Sequence, residues 1–404
     1  MPETKKRKIL FVDDESNILQ GLQRMLHAMR KEWEMKFVES GAEALSLLQE
    51  EPFDVVVTDM RMPGMDGIQL LSEVKRQAPE VIRIVLSGYS DHQMVLKSIP
   101  LAHRFLSKPC NPQTLISTVS RACALGDLLG DHSLKRLVTR FSTLPSLPTL
   151  YLQMKRAIRS EGSSIDSIAK IISQDIGMTA KVLQLANSAY FGLPQTINNP
   201  KEAVFYIGLN TLEALILSAH IFAKFKHASR FQSFLDQLWL HSQVTAGIAE
   251  FISKAEGIDK AMSDYASMAG LLHDCGKLVL ADNFPEKYEQ ALSLAKQERI
   301  PLWQAEGKIF GVHHGSVGAY LLGIWGLPNP IIEALAFHHQ PNSYPQDRFN
   351  VLTAVHVANA LEQEDKTFTD QRSQVDEDYL SELGLHNRLP EWQILMKEVT
   401  GLTT

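Results

Sequence analysis

Cysteine is nearly absent. The 404 residues hold three, Cys110, Cys123 and Cys275, odd in number and scattered, which excludes a disulfide framework or a CxxC metal knuckle and leaves reduced thiols. Cys275 lacks a neighbouring motif that would position a base and reads as a small buried thiol. Long apolar runs are missing as well: no stretch approaches the ~18 residues at which a membrane-spanning helix begins. The opening MPETKKRKILFVDDE passes from a short basic stretch into a strand carrying acids, with neither a secretory h-region nor a cleavage site. A cytoplasmic chain with no membrane partner is expected. Nor is there a basic excess: 40 Lys plus Arg stand against 46 Asp plus Glu, a formal net charge of −6. That gives no electrostatic ground for holding a phosphate backbone. With no helix-turn-helix carrying a basic recognition helix, DNA binding is not expected either.

What the chain does have is length and pattern. At 404 residues, 45% of them hydrophobic, it can bury two or three separate cores. From Lys8 to about Arg121, short apolar runs alternate with amphipathic stretches. The order is ILFV, a helix over 17–30, MKFVE, a helix over 42–49, DVVVTD, a helix over 67–77, IRIVLS, a weaker helix from Asp91, HRFLSK, and a helix from Pro112. Five βα units imply a doubly wound five-stranded parallel sheet with helices on both faces. Strands buried on both sides account for the unbroken VVV and IVL. The last helix keeps an apolar repeat through Leu128 toward Leu134 and Leu137, as a rigid linker able to pair would. Beyond FSTLPSLPTL the composition shifts to Leu, Ala and Ile at helical spacing, and an all-α module is expected, with helices that include 165–173, 178–188, 200–207, 209–225, 231–255 and 263–280. The charged stretch 363–377 reads as a solvated connection before a terminal helix near 390–400. The expected division is 1–125, a linker over 126–143, a helical domain over 144–361, and a C-terminal extension over 362–404 packed on it.

In a doubly wound sheet, ligands sit outside the carboxyl ends of the strands. Asp13 and Asp14 follow ILFV, Asp59 follows VVVT, Ser87 follows IVL and Lys108 follows RFLS, so all converge on one rim. Three acids there repel one another unless a divalent cation sits among them, and hard oxygens beside a phosphate suit Mg2+. The nucleophile of such a site is a carboxylate free to attack phosphorus in line, with a cation and an ammonium neutralising the equatorial oxygens. Asp59 fits as nucleophile, Lys108 as clamp and Ser87 as hydroxyl donor.

This segment resembles the receiver domain of two-component response regulators. The resemblance rests on VDDE at 12–15, TDMRMPGMDG at 58–67, SGYSD at 87–91 and SKP at 107–109. It implies a flavodoxin-like receiver fold and an acid pocket of Asp13 and Asp14. It further implies Mg2+ held by Asp14, Asp59 and the carbonyl of Arg61, Phe105 as an aromatic switch, and a cis peptide bond between Lys108 and Pro109. The implied phosphodonor is a sensor histidine kinase.

Seven histidines fall between His241 and His356, several in apolar helices where a solvated residue would be out of place. LLHDCGK sets His273 and Asp274 in an apolar stretch with Lys277 one turn on. Neighbouring residues diverge by about 100° on a helix, which suits a ligand pair gripping a cation from a kinked or terminal turn. Further imidazoles are His241, one of His313 and His314, and the pair His338 and His339. Histidine with carboxylate is the ligand set of Zn, Fe, Mn or Ni hydrolases. His220, His356 and His386 read as structural, and Tyr190 and Phe191 as core aromatics.

The stretch 144–361 resembles the HDOD module of the HD phosphohydrolase superfamily. It does so through LPSLP at 144–148, SQDIGMTAKVLQLANSAYFGLP at 173–194, AVFYIGLNTLEALIL at 203–217, and then LLHDCGK, HHGSVGAYLLGIWGLP and HHQP. Members of this family act mainly by contacting other signalling proteins, and their metal site is usually degenerate. Set against the HD-GYP enzymes, which cleave cyclic di-GMP, this chain places His241, His273, Asp274, Lys277, His314, His338 and His339 on ligand or catalytic positions. Asn359 stands where a ligand aspartate is expected, Gln237 where some relatives use an acid, and HHQPNSYP lacks the DGxGYP of those enzymes. The resemblances together imply a response regulator in which phosphorylation of Asp59 controls an HDOD output domain, with Mg2+ at the receiver and a transition metal in the helical pocket. Implied partners are a cyclic-di-GMP enzyme or a kinase downstream, and a second copy of the chain through the receiver or linker helix. The alternative is a phosphorylation-regulated, metal-dependent phosphohydrolase acting on a cyclic nucleotide.

Overall fold

The computed structural model describes residues 6–88, 94, 98, 101–125, 145–146, 153–154, 156–157, 164–187, 196–209, 212, 223–225, 227, 229–344, 346–364 and 374–400. The expected linker over 126–143, His220, and the aromatic pair Tyr190 and Phe191 lie outside them, as does most of the helix expected from Asp91.

In the first half, β1 (Arg7–Val12), β2 (Trp33–Val38), β3 (Val55–Asp59), β4 (Ile82–Ser87) and β5 (Arg104–Ser107) form one parallel sheet in the order β2-β1-β3-β4-β5. β3 and β4 are buried along their whole length, as their unbroken Val and Ile runs require. The strand order reverses at β1 and β3, which makes the carboxyl ends of those two strands the crevice of the sheet. The flanking helices are α1 (Ser16–Met25), α2 (Gly41–Glu50), α3 (Gly67–Gln77) and α4 (Pro112–Leu125). Ser40 caps α2, and Asp66 with Gln69 forms a capping box on α3. The helix expected over 17–30 is shorter: after Leu22 and Leu26 the stripe weakens to the half-buried Met29, and a 3-10 turn with no fully buried residue (His27–Lys31) leads into β2.

The second half is built from α5 (Ile165–Ser173), α6 (Ile176–Ala186), α7 (Pro200–Ile207), α8 (Gln232–Ala255), α9 (Lys260–Leu272), α10 (Cys275–Asn283), α11 (Pro285–Glu298), α12 (Leu302–Phe310), α13 (His314–Ile324), α14 (Asn329–Phe337) and α15 (Val351–Glu364), followed by α16 (Glu377–Glu382) and α17 (Leu389–Thr400). Three expectations are corrected. Ala223–Lys224, expected within a helix over 209–225, form β7, which pairs in parallel with β6 (Pro145–Ser146). Pro145, with its fixed φ, suits an extended partner strand, so the module is helical with a small sheet. The helix over 263–280 is two helices, α9 and α10. The connection over 363–377 is cut short by α16, whose first turn is capped by Asp376 and whose Tyr379 and Leu380 are buried.

Helices in the second half approach closely where glycine allows it. A side chain on Gly276 would run into the backbone of His314, its Cβ 2.8 Å from the carbonyl carbon, and one on Gly270 would lie 2.8 Å from the Ala246 Cα. Gly276 thus sets the α10–α13 crossing and Gly270 the α8–α9 crossing. Gly276→Ala is expected to destabilise the domain by about 3 kcal/mol or more, since neither backbone can yield. A fall of the order of 5–10 °C in the thermal unfolding midpoint, followed by circular dichroism, checks it.

The two halves touch. α4 lies against α13, with the Arg121 guanidinium donating to the Leu327 carbonyl. Gln184 Nε2 of α6 donates to the His103 carbonyl at 3.2 Å.

Candidate functional site

The sheet rim carries the first group. Asp13 follows β1, Asp59 ends β3, and both are buried, at 1% and 6% exposure. Lys108, just past β5, donates from Nζ to Asp13 Oδ2 at 2.6 Å and pairs with Asp59 Oδ1 as well. Burial works against its ammonium, but the Asp13 and Asp59 carboxylates outweigh that and raise its pKa above the ordinary lysine value. The remaining oxygens are held by backbone donors: Glu15 N–H on Asp13 Oδ1 at 3.0 Å, and Arg61 N–H on Asp59 Oδ2 at 2.6 Å. Ser87 and Phe105 are buried on β4 and β5, and Asp14 is half-buried. The Lys108–Pro109 peptide is cis. Three carboxylates against one ammonium leave an uncompensated negative charge in a hard-oxygen setting, which fits Mg2+. Asp13, Asp14 and Asp59 with the Arg61 carbonyl would hold it.

The second group is assembled by six helices. His241 comes from α8; His273 and Asp274 occupy the break between α9 and α10; His314 opens α13; His338 and His339 follow α14; Asn359 and Glu362 stand one turn apart on α15. The break lets His273 and Asp274 face the same space, which an unbroken helix would not allow. Asp274 at the start of α10 also sits where helix geometry favours a negative charge. The side chains form two overlapping sets that share this residue: Asp274, His314, His338 and His339; and His241, His273 and Asp274. Of the adjacent pair, His314 enters the group, while His313 caps α13 and packs beside Trp303. Gln237, one turn before His241, is exposed.

The hydrogen bonds fix which ring nitrogen faces inward. Nδ1 of His241 bonds Glu362 at 2.5 Å, Nδ1 of His273 the Gly270 carbonyl at 2.7 Å, Nδ1 of His314 Glu306 at 2.6 Å, and Nδ1 of His338 the Leu335 carbonyl at 2.9 Å. Each acceptor demands a proton on Nδ1, so a neutral ring turns its Nε2 lone pair into the pocket. There the inward nitrogens meet one another: His241 Nε2 lies 3.1 Å from His273 Nε2, and His339 Nε2 lies 3.0 Å from His314 Nε2. His338 Nε2 has no hydrogen-bond partner, and neither has Asp274 Oδ1, although His314 Nε2 is 2.9 Å from it. Burial pulls His273 down to about 4 and holds His338 well below the ordinary histidine value, so these rings are neutral, whereas burial at His314 is outweighed by the Glu306 and Asp274 carboxylates, which raise it. Burial opposes charge on Asp274 too, but His273, Lys277 and His314 keep its carboxyl well below the usual range, with Lys277 Nζ at 2.6 Å from Oδ2. Converging lone pairs around a buried carboxylate form a donor set that fits a divalent transition metal.

Two carboxylates at this site lie outside every motif in the sequence: Glu306 on α12, behind His314, and Glu362 on α15, behind His241. Their one local signal is an acid on the buried face of a helix; Glu306 is 0% and Glu362 5% exposed. His356, read as structural, accepts the Asp376 N–H on Nε2 and bonds the His338 carbonyl through Nδ1. Burial raises the Cys275 thiol far above the ordinary range, which keeps it protonated.

Comparison with known proteins bears on both halves. The response regulator receiver domain matches residues 9–120 and the HDOD domain residues 144–341. An uncharacterized protein of Treponema pallidum is 30% identical over 55% of this chain and 43% of its own. The hydrogenase transcriptional regulatory protein HoxA of Cupriavidus necator is 32% identical over 46% and 40%. The chain thus spans less than half the length of these curated relatives. Among solved structures, the signal receiver domain of an HD domain-containing protein from Pseudomonas fluorescens is 33% identical, covering 30% of this chain and 96% of that one, with a TM-score of 0.29. The MmoQ response regulator from Methylococcus capsulatus is 22% identical over 62% and 98%, with a TM-score of 0.46. No helix among the described residues is long and apolar enough to cross a membrane. With a receiver fold followed by an HDOD domain, the chain belongs to the response regulators that carry an HDOD output domain.

Proposed function

We propose that Asp59 takes a phosphoryl group from a sensor histidine kinase and that the HDOD domain passes the signal on by contacting another signalling protein, of which a cyclic-di-GMP enzyme or a kinase is the expected kind. The observation that carries this reading is Lys108 joined to both Asp13 and Asp59 at the crevice of the sheet. There an ammonium and a bound Mg2+ would offset the charge of the incoming phosphoryl oxygens, leaving Asp59 free to attack. Phosphorylation then adds negative charge beside Ser87 and Phe105, on the strands next to α4. α4 in turn meets the α13–α14 pair, whose far ends carry His314 and His338.

The converging lone pairs around Asp274 favour a second reading, a metal-dependent phosphohydrolase. A cation there would polarise a phosphoryl oxygen and acidify water. Two features favour the relay over hydrolysis. His273, Asp274, His314 and His338 are each at most 1% exposed, which leaves a bulky substrate little access. Asn359, neutral and one turn from Glu362 on α15, replaces a carboxylate and lowers the charge available to a second cation.

Turnover separates the readings. Purified chain, its Mn, Fe, Ni and Zn content fixed by elemental analysis, is expected to leave cyclic dinucleotides intact. Turnover of such a substrate that disappears in His273→Ala would replace the relay reading with the enzymatic one.

A further inference from the structure

Glu306 sits on α12 at 0% exposure. Its Oε2 accepts two hydrogen bonds from one residue: the His314 backbone N–H at 2.8 Å and the His314 ring Nδ1–H at 2.6 Å. Holding the peptide and the ring together fixes both the rotamer and the tautomer of His314. The ring is left with Nε2 directed at Asp274 Oδ1. The other oxygen, Oε1, has no hydrogen bond within the ordinary geometry. The nearby Tyr288 hydroxyl is pushed well above its ordinary value by burial and by the Glu306 charge, so it stays neutral beside that carboxylate. One turn earlier on α12, Trp303 stacks on His339, with ring centroids 5.6 Å apart and planes 16° from parallel. One helix therefore backs two of the three imidazoles that share a set with Asp274.

We propose that Glu306 is the positioning residue of this set: it locks His314 as the Nδ1–H tautomer, makes Nε2 a stronger electron-pair donor, and so sets how tightly the site holds a divalent transition metal ion. The inference rests on the metal reading given above. Carboxylates behind ligating imidazoles change metal affinity by ~10–100-fold, and Glu306 is placed to act on that scale. Glu362 stands in the same relation to the His241 ring on the opposite side of Asp274.

Full-length chain stripped with a chelator and titrated with Co2+, followed by visible ligand-field absorption, tests it. Wild type is expected to bind saturably. Glu306→Gln keeps shape and removes charge; it is expected to weaken Co2+ binding ~10–100-fold at unchanged stoichiometry, with shifted absorption bands. Glu306→Gln that binds Co2+ with wild-type affinity and wild-type bands overturns the inference and leaves the metal reading standing. Wild type that shows no saturable Co2+ binding removes the metal reading, and the inference with it. If Glu306→Gln does not fold, nitrogen NMR of wild type labelled with 15N-histidine gives the answer without it. At a pH where the His314 ring is neutral, the metal-free chain is expected to show it protonated at Nδ1 and bare at Nε2, and the reverse tautomer overturns the proposal.

Discussion

Asp59→Asn is expected to reduce phosphoryl uptake from acetyl phosphate by on the order of 10^3-fold or more, because the substitution removes the attacking oxygen rather than weakening a contact. The asparagine side chain would keep the shape of the site and a carbonyl oxygen for the Arg61 N–H, which the native Asp59 accepts at 2.6 Å. What it cannot keep is the charge that pairs with Lys108. Lys108→Met is expected to act differently. It leaves the nucleophile in place and removes the ammonium that offsets charge on the equatorial oxygens, so uptake persists at a reduced rate and Mg2+ binding strengthens in the more negative pocket. Phosphate-affinity gel electrophoresis after a timed incubation separates these outcomes. Asp59→Asn that is still modified at the wild-type rate would move the phosphoacceptor elsewhere and end the account of the rim.

The difference between the two sites is also a difference in what a sequence can reveal. At the rim each functional residue ends a strand, and a buried parallel strand announces itself by an unbroken apolar run. The run VVVTD therefore places Asp59 as well as β3, and the sheet order then brings Asp13 and Lys108 to it. The helical pocket is less legible because its geometry comes from crossings between distant helices. GLLHDCGKLVL is apolar on both sides of His273 and Asp274, so periodicity carries a single helix through 263–280. The chain breaks there, and Gly276 brings α10 against the start of α13, a contact across 38 residues that no local pattern encodes. The same lack of local signal makes His313 and His314 equivalent in sequence, and only the start of α13 at His314 tells them apart. Glu362 reaches His241 across 121 residues, and Glu306 reaches His314 from a separate helix. Each reads in sequence as one acid in an amphipathic segment. Ala223–Lys224 fails for a related reason: a two-residue strand exists only because Pro145–Ser146 lies alongside it.

Asp274→Asn is expected to abolish saturable metal binding, lowering affinity for Co2+ or Mn2+ on the order of 10^3-fold, whereas His241→Ala is expected to cost far less. Asp274 belongs to both overlapping sets, and its two oxygens divide between them. Oδ1 faces His314 Nε2 at 2.9 Å and His338 Nε2 at 3.9 Å, while Oδ2 faces His241 Nε2 at 3.5 Å and His273 Nε2 at 3.4 Å. Removing its charge deletes the one carboxylate among the grouped donors, and neutral imidazoles alone offset little of a dication's lost hydration. His241, by contrast, serves one set only, and four other imidazoles remain around Asp274 after it is gone. Asparagine also keeps the side-chain volume, and Lys277, which loses its anionic partner at 2.6 Å, retains some access to solvent. The apo domain should therefore fold, with a modest fall in its unfolding midpoint, and a large loss of metal affinity would report the donor set rather than the fold. Isothermal titration of the folded variant makes the measurement. Wild-type affinity in Asp274→Asn would mean that the metal, if bound, sits elsewhere, and that the converging lone pairs are a packing feature of the core.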